Sequence, residues 1–186
     1  MPNTGKLVVV TGPSGVGKSS ILRRALPRTG ARFSVSATTR PPREGETPGE
    51  DYHFVSREAF EDMIAHGEML EYAEVHGELY GTPAQPVMEA VGRGETIVLD
   101  VDVQGGIQVH EKKPDATFVL IVPPSDEELA RRLTGRGTDS QQQIQRRLGV
   151  ARQEVQTARE SGFYRNVVVN DDLESATREV VSILQG

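Results

Sequence analysis

The sequence predicts an α/β fold in which a parallel sheet carries helices on both of its faces. Four short apolar runs rich in β-branched residues have the composition of strands buried on both sides. These runs occupy residues 7–10, 96–100, 117–122 and 167–169. Helical patterns separate them along the chain, and strands that alternate with helices favour a parallel arrangement.

Capping residues and helix breakers set the expected limits of the helices. The first helix is expected over residues 19–26, because Pro27 lacks the N–H that an interior helical residue donates. Ser56 is suited to cap a helix over residues 57–66, which Gly67 would end. The remaining predicted helices are residues 83–91, residues 126–134 behind a capping box at Ser125 and Glu128, residues 141–161 and residues 173–185.

Residues 34–85 interrupt the alternation of strands and helices. The stretch from residue 37 to residue 53 is rich in proline and glycine, which favour turns over long regular elements. We interpret residues 34–85 as an insertion that carries its own small mixed sheet. Residues 135–138 are expected to form a flexible break before the long polar helix.

Length and composition narrow the possible classes of protein. The chain has 186 residues, of which 36% are hydrophobic and 26% charged, values that are ordinary for a single globular domain. No apolar run approaches the roughly 20 residues that span a membrane, and the first residues lack the features of a signal peptide. We therefore expect a cytoplasmic protein with no membrane partner. The formal net charge of -6 disfavours nucleic acid as a partner, and the absence of cysteine excludes disulfides and thiolate metal sites.

A glycine-rich loop follows the first predicted strand and opens the first helix. Residues 12–19 (GPSGVGKS) match the pattern G-x-x-x-x-G-K-[ST] in full. In such a loop the backbone N–H groups and the positive end of the helix dipole bind phosphate oxygens. Lys18 is suited to contact the β- and γ-phosphates, and the Ser19 hydroxyl is suited to bind Mg²⁺. The loop therefore predicts that the chain binds a nucleoside triphosphate and transfers a phosphoryl group. The residues expected at the triphosphate are Gly12, Pro13, Ser14, Gly15, Val16, Gly17, Lys18, Ser19 and Ser20.

Two aspartates lie at and just beyond the end of the second predicted strand. Asp100 ends an apolar run, where proteins with this loop place a carboxylate associated with the metal. We expect Asp100 to act on Mg²⁺ through a water molecule, beside the direct ligand Ser19. Asp102 lies two residues later, on the same side of an extended chain. Taken alone, an aspartate after a strand is usually a cap or turn residue, and that alternative remains open.

Ordered motifs along the chain resemble those of the guanylate kinase family. Residues 35–46 (VSATTRPPREGE) are similar to the acceptor-site signature of that family. Further matches are residues 52–55 (YHFV), 69–73 (MLEYA), 80–83 (YGTP), 99–105 (LDVDVQG), 123–125 (PPS), 136–138 (RGT) and 169–172 (VNDD). The resemblance covers roughly residues 6–185, which is nearly the whole chain.

This resemblance implies an activity and a division of the chain. The activity is transfer of the γ-phosphoryl group of ATP to GMP, and to dGMP, with Mg²⁺ as cofactor and ADP and GDP as products. The implied fold is that of the P-loop nucleoside monophosphate kinases. Its core would comprise residues 1–33, 86–134 and 162–186, its GMP-binding insertion residues 34–85, and its mobile lid with the long helix residues 135–161.

The resemblance also implies a GMP site with Glu71 at the guanine base. A carboxylate accepts hydrogen bonds from N1–H and the 2-amino group together, and Ser36 and Thr82 match positions close to the base. Adenine has no such donor pair, so it would leave buried polar groups unpaired. The other residues implied to bind GMP are Arg40, Arg43, Tyr52, Tyr80, Asp102 and Arg147.

Arginines near the predicted lid match positions that stabilise the negative charge of the transferring phosphoryl group. Arg136 and Arg147 are the best matches. The arginines expected on solvated helix faces are Arg131, Arg132 and Arg146, and the residues that match positions near the adenine of ATP are Asn170 and Asp171. The implied catalytic set is Lys18, Arg43, Asp100, Arg136 and Arg147. No general base is required, because the acceptor phosphate is already anionic and positioning supplies the catalysis.

Two other functions compete with this one. Guanylate-kinase-like domains of scaffolding proteins bind phosphorylated protein partners, but they usually have a degraded phosphate loop, which is intact here. A kinase for another small phosphorylated acceptor would not need Ser36, Glu71 and Thr82 together. We expect the chain to act as a monomer or a small homo-oligomer.

Overall fold

The computed structural model describes residues 5–134 and 140–186, in which helices and strands alternate for most of the chain. In chain order the elements are β1 (Lys6–Thr11), α1 (Lys18–Thr29), β2 (Arg32–Phe33), β3 (Ser36–Thr38), β4 (Tyr52–Phe54), α2 (Arg57–Ala65), β5 (Met69–Val75), β6 (Glu78–Pro83), α3 (Ala84–Gly92), β7 (Thr96–Asp100), α4 (Val103–Lys112), β8 (Thr117–Val122), α5 (Asp126–Thr134), α6 (Gln141–Ser161), β9 (Asn166–Val169) and α7 (Leu173–Gln185).

A five-stranded parallel sheet with the order β2-β7-β1-β8-β9 forms the centre of the protein. The valines of β1 are fully buried and alternate between two hydrophobic clusters. Val8 and Val10 pack with α1 and α7 on one face, whereas Val9 packs with α3, α4 and α6 on the other. The predicted parallel α/β sheet with helices on both faces is therefore confirmed.

A second, mixed sheet with the order β4-β3-β6-β5 lies within residues 34–85, where the sequence predicts one. Strands β3 and β4 run parallel, and β3 and β5 run antiparallel to β6. One face of this sheet is apolar, because Ala37, Met69 and Leu79 form a cluster with Phe60 of α2. The other face carries polar side chains and belongs to the candidate site.

The predicted helices need correction at three places, which are the end of α1, the unpredicted α4 and the capping box before α5. Helix α1 does not end at Pro27 but continues to Thr29. A proline removes only its own N–H from the helix, and Gly30 closes the last turn with its N–H on the Leu26 carbonyl. Helix α4 was not predicted, since its glycine pair lowers helix propensity. Ser125 accepts from the Glu128 N–H, but the Glu128 carboxylate binds two arginines instead of completing the capping box.

Helices α5 and α6 lie side by side and share a small core of their own. Leu129 and Leu133 of α5 pack against Ile144, Leu148 and Ala151 of α6. A complete capping box starts α6, formed by Ser140 and Gln143. The predicted break at residues 135–138 lies outside the described residues. In the described ranges, every helix is too short or too polar to cross a bilayer.

The fold makes a stability prediction at Gly106 of α4. Tyr164 is buried and its hydroxyl group hydrogen-bonds Thr11 Oγ1 over 2.9 Å, and a Cβ atom on Gly106 would lie 2.0 Å from that hydroxyl oxygen. Gly106→Ala should therefore lower the free energy of unfolding by about 1–3 kcal/mol, the usual cost of overpacking. The free energy is measured by urea denaturation.

Gly149 provides the matched control, because it lies in α6 with no atom within 4 Å of the position of a Cβ. Gly149→Ala should raise the free energy of unfolding by about 0.5–1 kcal/mol through helix propensity. If both substitutions stabilise the protein, close packing around Tyr164 is not what requires a glycine at residue 106.

Candidate active site

The phosphate loop is a tight turn between β1 and α1 that depends on its glycines. Gly15 and Gly17 have φ angles of 83° and 100°, which glycine adopts without strain. Gly12 is required for space, because a Cβ there would lie 2.4 Å from the carbonyl oxygen of Ile121 on β8. The loop is therefore held against the neighbouring strand by direct backbone contact.

The start of α1 offers backbone N–H groups to an anion. Its N-cap is Gly17, and in the described structure no side chain caps it and no acidic residue lies in its first turn. The first N–H groups of a helix have no partner inside the helix, and the helix dipole favours an anion in front of them. Ser19 and Ser20 are exposed at this end, as a residue that meets phosphate or Mg²⁺ must be.

Lys18 and Asp100 meet at the carboxyl edge of the parallel sheet. Strand register places Asp100 opposite Val10, just before the loop. The Lys18 Nζ atom lies 3.1 Å from Asp100 Oδ1 and donates to the Gly12 carbonyl oxygen over 3.1 Å. The sequence prediction that Asp100 belongs with the phosphate loop therefore agrees with its position.

Asn170 braces the loop from the β9–α7 connection. Its side-chain Nδ2 donates to the Val16 carbonyl oxygen over 2.7 Å, and the residue is buried. A Cβ on Gly17 would lie 2.4 Å from Nδ2, a second reason for glycine at that position. Asp171, by contrast, is exposed.

Arg132 also stabilises the phosphate loop together with Asn170, a role that the sequence did not indicate. Its guanidinium donates to the Asn170 carbonyl oxygen over 2.8 Å and to the Val16 carbonyl oxygen over 3.4 Å. The expectation of a solvated helix face is therefore wrong for Arg132, because Glu128 one turn earlier directs its side chain toward the loop. The expectation holds for Arg131 and Arg146, which are exposed.

Arg147 reaches the phosphate loop from α6. Its guanidinium donates to the Ser14 hydroxyl over 2.7 Å. A cation of the long helix therefore contacts the loop, and its role at the transferring phosphoryl group stays a prediction. The companion prediction, Arg136, lies outside the described residues.

Strand register brings five of the predicted GMP residues onto one face of the mixed sheet. Ser36 is paired with Tyr52, and Glu71 is paired with Thr82. Thr38 is paired with Tyr80, and residues two apart on a strand share a face. Ser36, Tyr52, Glu71, Tyr80 and Thr82 consequently lie on the polar face, opposite the apolar cluster.

A β-bulge directs Glu71 to this face. Met69 is paired with Pro83 and Glu71 with Thr82, so Leu70 is one extra residue on β5. In a regular ladder Leu70 would stand opposite Thr82, and Glu71 would point to the other face. Leu70 instead packs into the core of the parallel sheet.

The Glu71 carboxylate is buried and its surroundings are mostly unfavourable to charge. Only 9% of the residue is exposed, and this burial raises the pKa of Glu71, with the negative charge of Asp102 adding to the increase. A hydrogen bond of 2.6 Å from the Thr82 hydroxyl and the positive charge of Lys112 oppose the shift. Glu71 is therefore a carboxylate in need of hydrogen-bond donors.

Asp102 lies next to Glu71 and caps α4. Its Oδ1 accepts from the Gly105 N–H over 2.7 Å, so the cap alternative describes its role in the fold. A Cβ on Gly105 would lie 3.3 Å from Glu71 Oε2 and 3.4 Å from Asp102 Oδ1. Glycine thus lets the start of α4 approach both carboxylates.

Arg40 is held in place by a partner that the sequence analysis did not single out. Its guanidinium donates to both carboxylate oxygens of Glu46, over 2.8 and 3.0 Å, and lies 5.5 Å from the centroid of the Tyr52 ring. The hydrogen bonds to Glu46 raise the pKa of Arg40, with a smaller contribution from Tyr80. Arg43 is exposed, and its backbone N–H donates to Glu46. Glu46 lies in the same motif as both arginines, which was the available signal.

The oxygen donors near the loop fit Mg²⁺. Mg²⁺ typically binds few protein ligands and completes its shell with phosphate oxygens and water. One exposed hydroxyl at Ser19 and the partly exposed carboxylate of Asp100 meet that requirement. The described part of the chain holds no cluster of three His, Asp or Glu residues that could bind a metal ion.

Comparisons with known proteins agree on one family. The model of the family described as Guanylate kinase matches residues 4–186. A guanylate kinase from Nostoc sp. is 47% identical over 186 residues, which is 100% of this chain and 92% of that protein. One from Symbiobacterium thermophilum is 49% identical, with 99% of this chain and 87% of that protein covered. The crystal structure of guanylate kinase from Anaplasma phagocytophilum aligns with a TM-score of 0.70 at 33% identity and covers 98% of this chain and 86% of its own.

The raised pKa of Glu71 predicts how stability depends on pH. Because the folded protein binds this proton more tightly than the unfolded chain does, the wild type loses stability as pH rises from the ordinary value of 4.5 through the folded pKa. Glu71→Gln retains an acceptor for Thr82 and does not titrate. The free energy of unfolding of Glu71→Gln, minus that of the wild type, should therefore increase as the pH rises from about 4 to about 8. Chemical denaturation across this range measures the difference.

Glu74→Gln, at an exposed site on the same strand, controls for the loss of one negative charge. A difference between Glu71→Gln and wild type that stays constant or shrinks with rising pH would contradict burial as the main cause of the shift.

Proposed function

Because the chain belongs to the guanylate kinase family, we propose that it transfers the γ-phosphoryl group of ATP to GMP, and to dGMP, to give ADP and GDP. One observation carries this proposal. A buried carboxylate, Glu71, stands beside the Thr82 hydroxyl on the polar face, and Arg40 lies against the Tyr52 ring of the same face. Guanine offers two adjacent donors to such a carboxylate, and the arginine suits the phosphate of the same nucleotide.

The guanine base is proposed to lie between Ser36, Glu71 and Thr82. A base with a donor pair satisfies Glu71, whereas a base without it leaves a buried carboxylate unpaired and is rejected. Asp102 completes the acceptor side near the base. The phosphate of GMP is proposed to bind Arg40, Arg43, Tyr52 and Tyr80, with Arg147 approaching from α6.

ATP is proposed to bind along the phosphate loop. The triphosphate would contact residues 12–20 and the N–H groups at the start of α1, and the adenine would lie near Asn170 and Asp171. When bound, Mg²⁺ would neutralise negative charge on the phosphate oxygens of ATP. Ser19 would hold it directly and Asp100 through water.

Catalysis is proposed to come from positioning and from positive charge. Lys18 lies at the loop and Arg147 above it, so both can neutralise charge on the transferring oxygens without forming a covalent bond. Arg43 and Arg136 are proposed to complete this set. The GMP phosphate is itself the nucleophile and needs no general base.

The three parts of the chain are proposed to have separate tasks. Residues 1–33, 86–134 and 162–186 would form the ATP-binding core, residues 34–85 the GMP-binding part, and residues 135–161 the lid with its helix. We further propose that the protein works in the cytoplasm as a monomer or small homo-oligomer.

The proposal is tested with purified protein, Mg·ATP and a panel of acceptors. GMP and dGMP should give ADP release, whereas AMP, CMP and UMP should be phosphorylated at least about a hundredfold less efficiently, as expected for a site that loses buried hydrogen bonds. ADP release is followed with a coupled assay. ADP release with AMP and not with GMP would refute GMP as the acceptor. No ADP release with any acceptor would favour a binding module.

Lys18→Ala tests the role of the phosphate loop. Because the ammonium lies between the loop and Asp100, its removal should reduce kcat by at least about a hundredfold while thermal unfolding stays cooperative. Lys113→Ala, at the far end of α4, is the control and should retain full turnover. Near-normal turnover of Lys18→Ala would exclude the proposed role.

A further inference from the structure

Two side chains of α4 hold the backbone of β5 on either side of Glu71. The Lys112 ammonium donates to the Met69 carbonyl oxygen over 2.6 Å and to the Leu70 carbonyl oxygen over 3.2 Å. Four residues earlier on the helix, the Gln108 amide accepts from the Tyr72 N–H over 3.1 Å and donates to the Tyr72 carbonyl oxygen over 3.0 Å. These contacts flank Glu71 in sequence on both sides.

These contacts lie where the backbone of β5 lacks hydrogen bonds from a neighbouring strand. Strand β5 is at the edge of its sheet, so its outer N–H and C=O groups have no strand partner. The bulge at Leu70 also removes regular pairing just before Glu71. Lys112 supplies donors to the two carbonyl groups at the bulge, and Gln108 pairs with Tyr72 as a neighbouring strand would.

The direction of the Glu71 side chain depends on that bulge. If β5 slipped back to regular pairing, Leu70 would face Thr82 and Glu71 would leave the polar face. Lys112 binds the carbonyl group of Leu70, the bulged residue that would have to move, and that of Met69, the last residue before the bulge. Its positive charge also favours the ionised form of Glu71 by lowering the pKa.

We infer that Lys112 and Gln108 are positioning residues that set selectivity for guanine by holding the bulge that aims Glu71. This inference rests on the proposed function. The hydrogen bonds of both side chains go to the backbone of β5. Their effect should therefore appear in the use of GMP and not in the use of ATP, and it should depend on the donor group at residue 112 and not on the charge of the helix alone.

The test is steady-state kinetics of Lys112→Met, which keeps the length of the side chain and removes its donors. KM for GMP should rise about tenfold, the usual effect of losing hydrogen bonds from a charged group, while KM for ATP and kcat stay close to wild type. Inosine monophosphate lacks the 2-amino group, so it benefits less from a well-placed Glu71. The ratio of kcat/KM for GMP to that for inosine monophosphate should therefore fall.

Three further variants separate positioning from general stability. Lys112→Arg keeps donors for the two carbonyl groups and should restore most of the selectivity. Lys113→Met removes the same charge from the next residue and should match wild type, and Gln108→Leu should lower the selectivity ratio in the same direction as Lys112→Met. Glu71→Gln gives the reference value for lost selectivity.

Two results would overturn the inference, and they are distinguishable from failure of the proposed function. One is a selectivity ratio of Lys112→Met equal to that of wild type and Lys113→Met. The other is an equal loss of GMP, inosine monophosphate and ATP use, which marks a structural role. If wild-type protein does not phosphorylate GMP at all, the proposed function fails first and this inference fails with it.

Discussion

Strand β1 constrains the whole molecule, because it is buried on both faces and bonded on both edges. Val8, Val9 and Val10 face two different cores, so a shift of one residue would exchange every side chain between them. Its neighbours β7 and β8 run parallel to it, and the carboxyl ends of parallel strands meet at one edge. The loop after β1 therefore begins beside Asp100, the last residue of β7, and Lys18 meets Asp100 there.

The same edge of the sheet also determines where the proposed guanine site lies. Strand β7 leads through Asp100 to Asp102, which caps α4. Helix α4 then runs past β5, and Gly105 allows close approach to Glu71 at one end while Lys112 holds the β5 backbone at the other. One helix thus connects the phosphate loop to the proposed guanine site, so the spacing of the two sites follows from the register of the central sheet.

Short sequence patterns predicted the elements whose structure depends on neighbouring residues. The elements that depend on contacts with distant parts of the chain were not predicted. The phosphate loop and the buried strands are visible in short stretches of sequence, because glycine conformation and strand burial leave direct signatures. Helix α4 was missed because Gly105 and Gly106 are poor helix formers, and they are tolerated because the carboxylates and Tyr164 pack against them. Likewise, the bulge depends on the packing of Leu70 into the core of the parallel sheet. Arg132 and Lys112 bind carbonyl groups that are far away in sequence.

Cations at the proposed phosphate sites already have partners in the protein. Arg40 binds Glu46, with 13% of its side chain exposed, and Lys18 binds Asp100. These partners hold the side chains in one orientation, so less conformational entropy is lost when a phosphate binds. Such contacts cannot distinguish one nucleoside monophosphate from another, because all carry the same phosphate. Discrimination must therefore come from the base, where a buried carboxylate makes a missing donor costly. Selectivity among acceptors is accordingly expected to depend on the few backbone contacts that aim Glu71, and affinity for the acceptor phosphate on the arginines proposed to bind it.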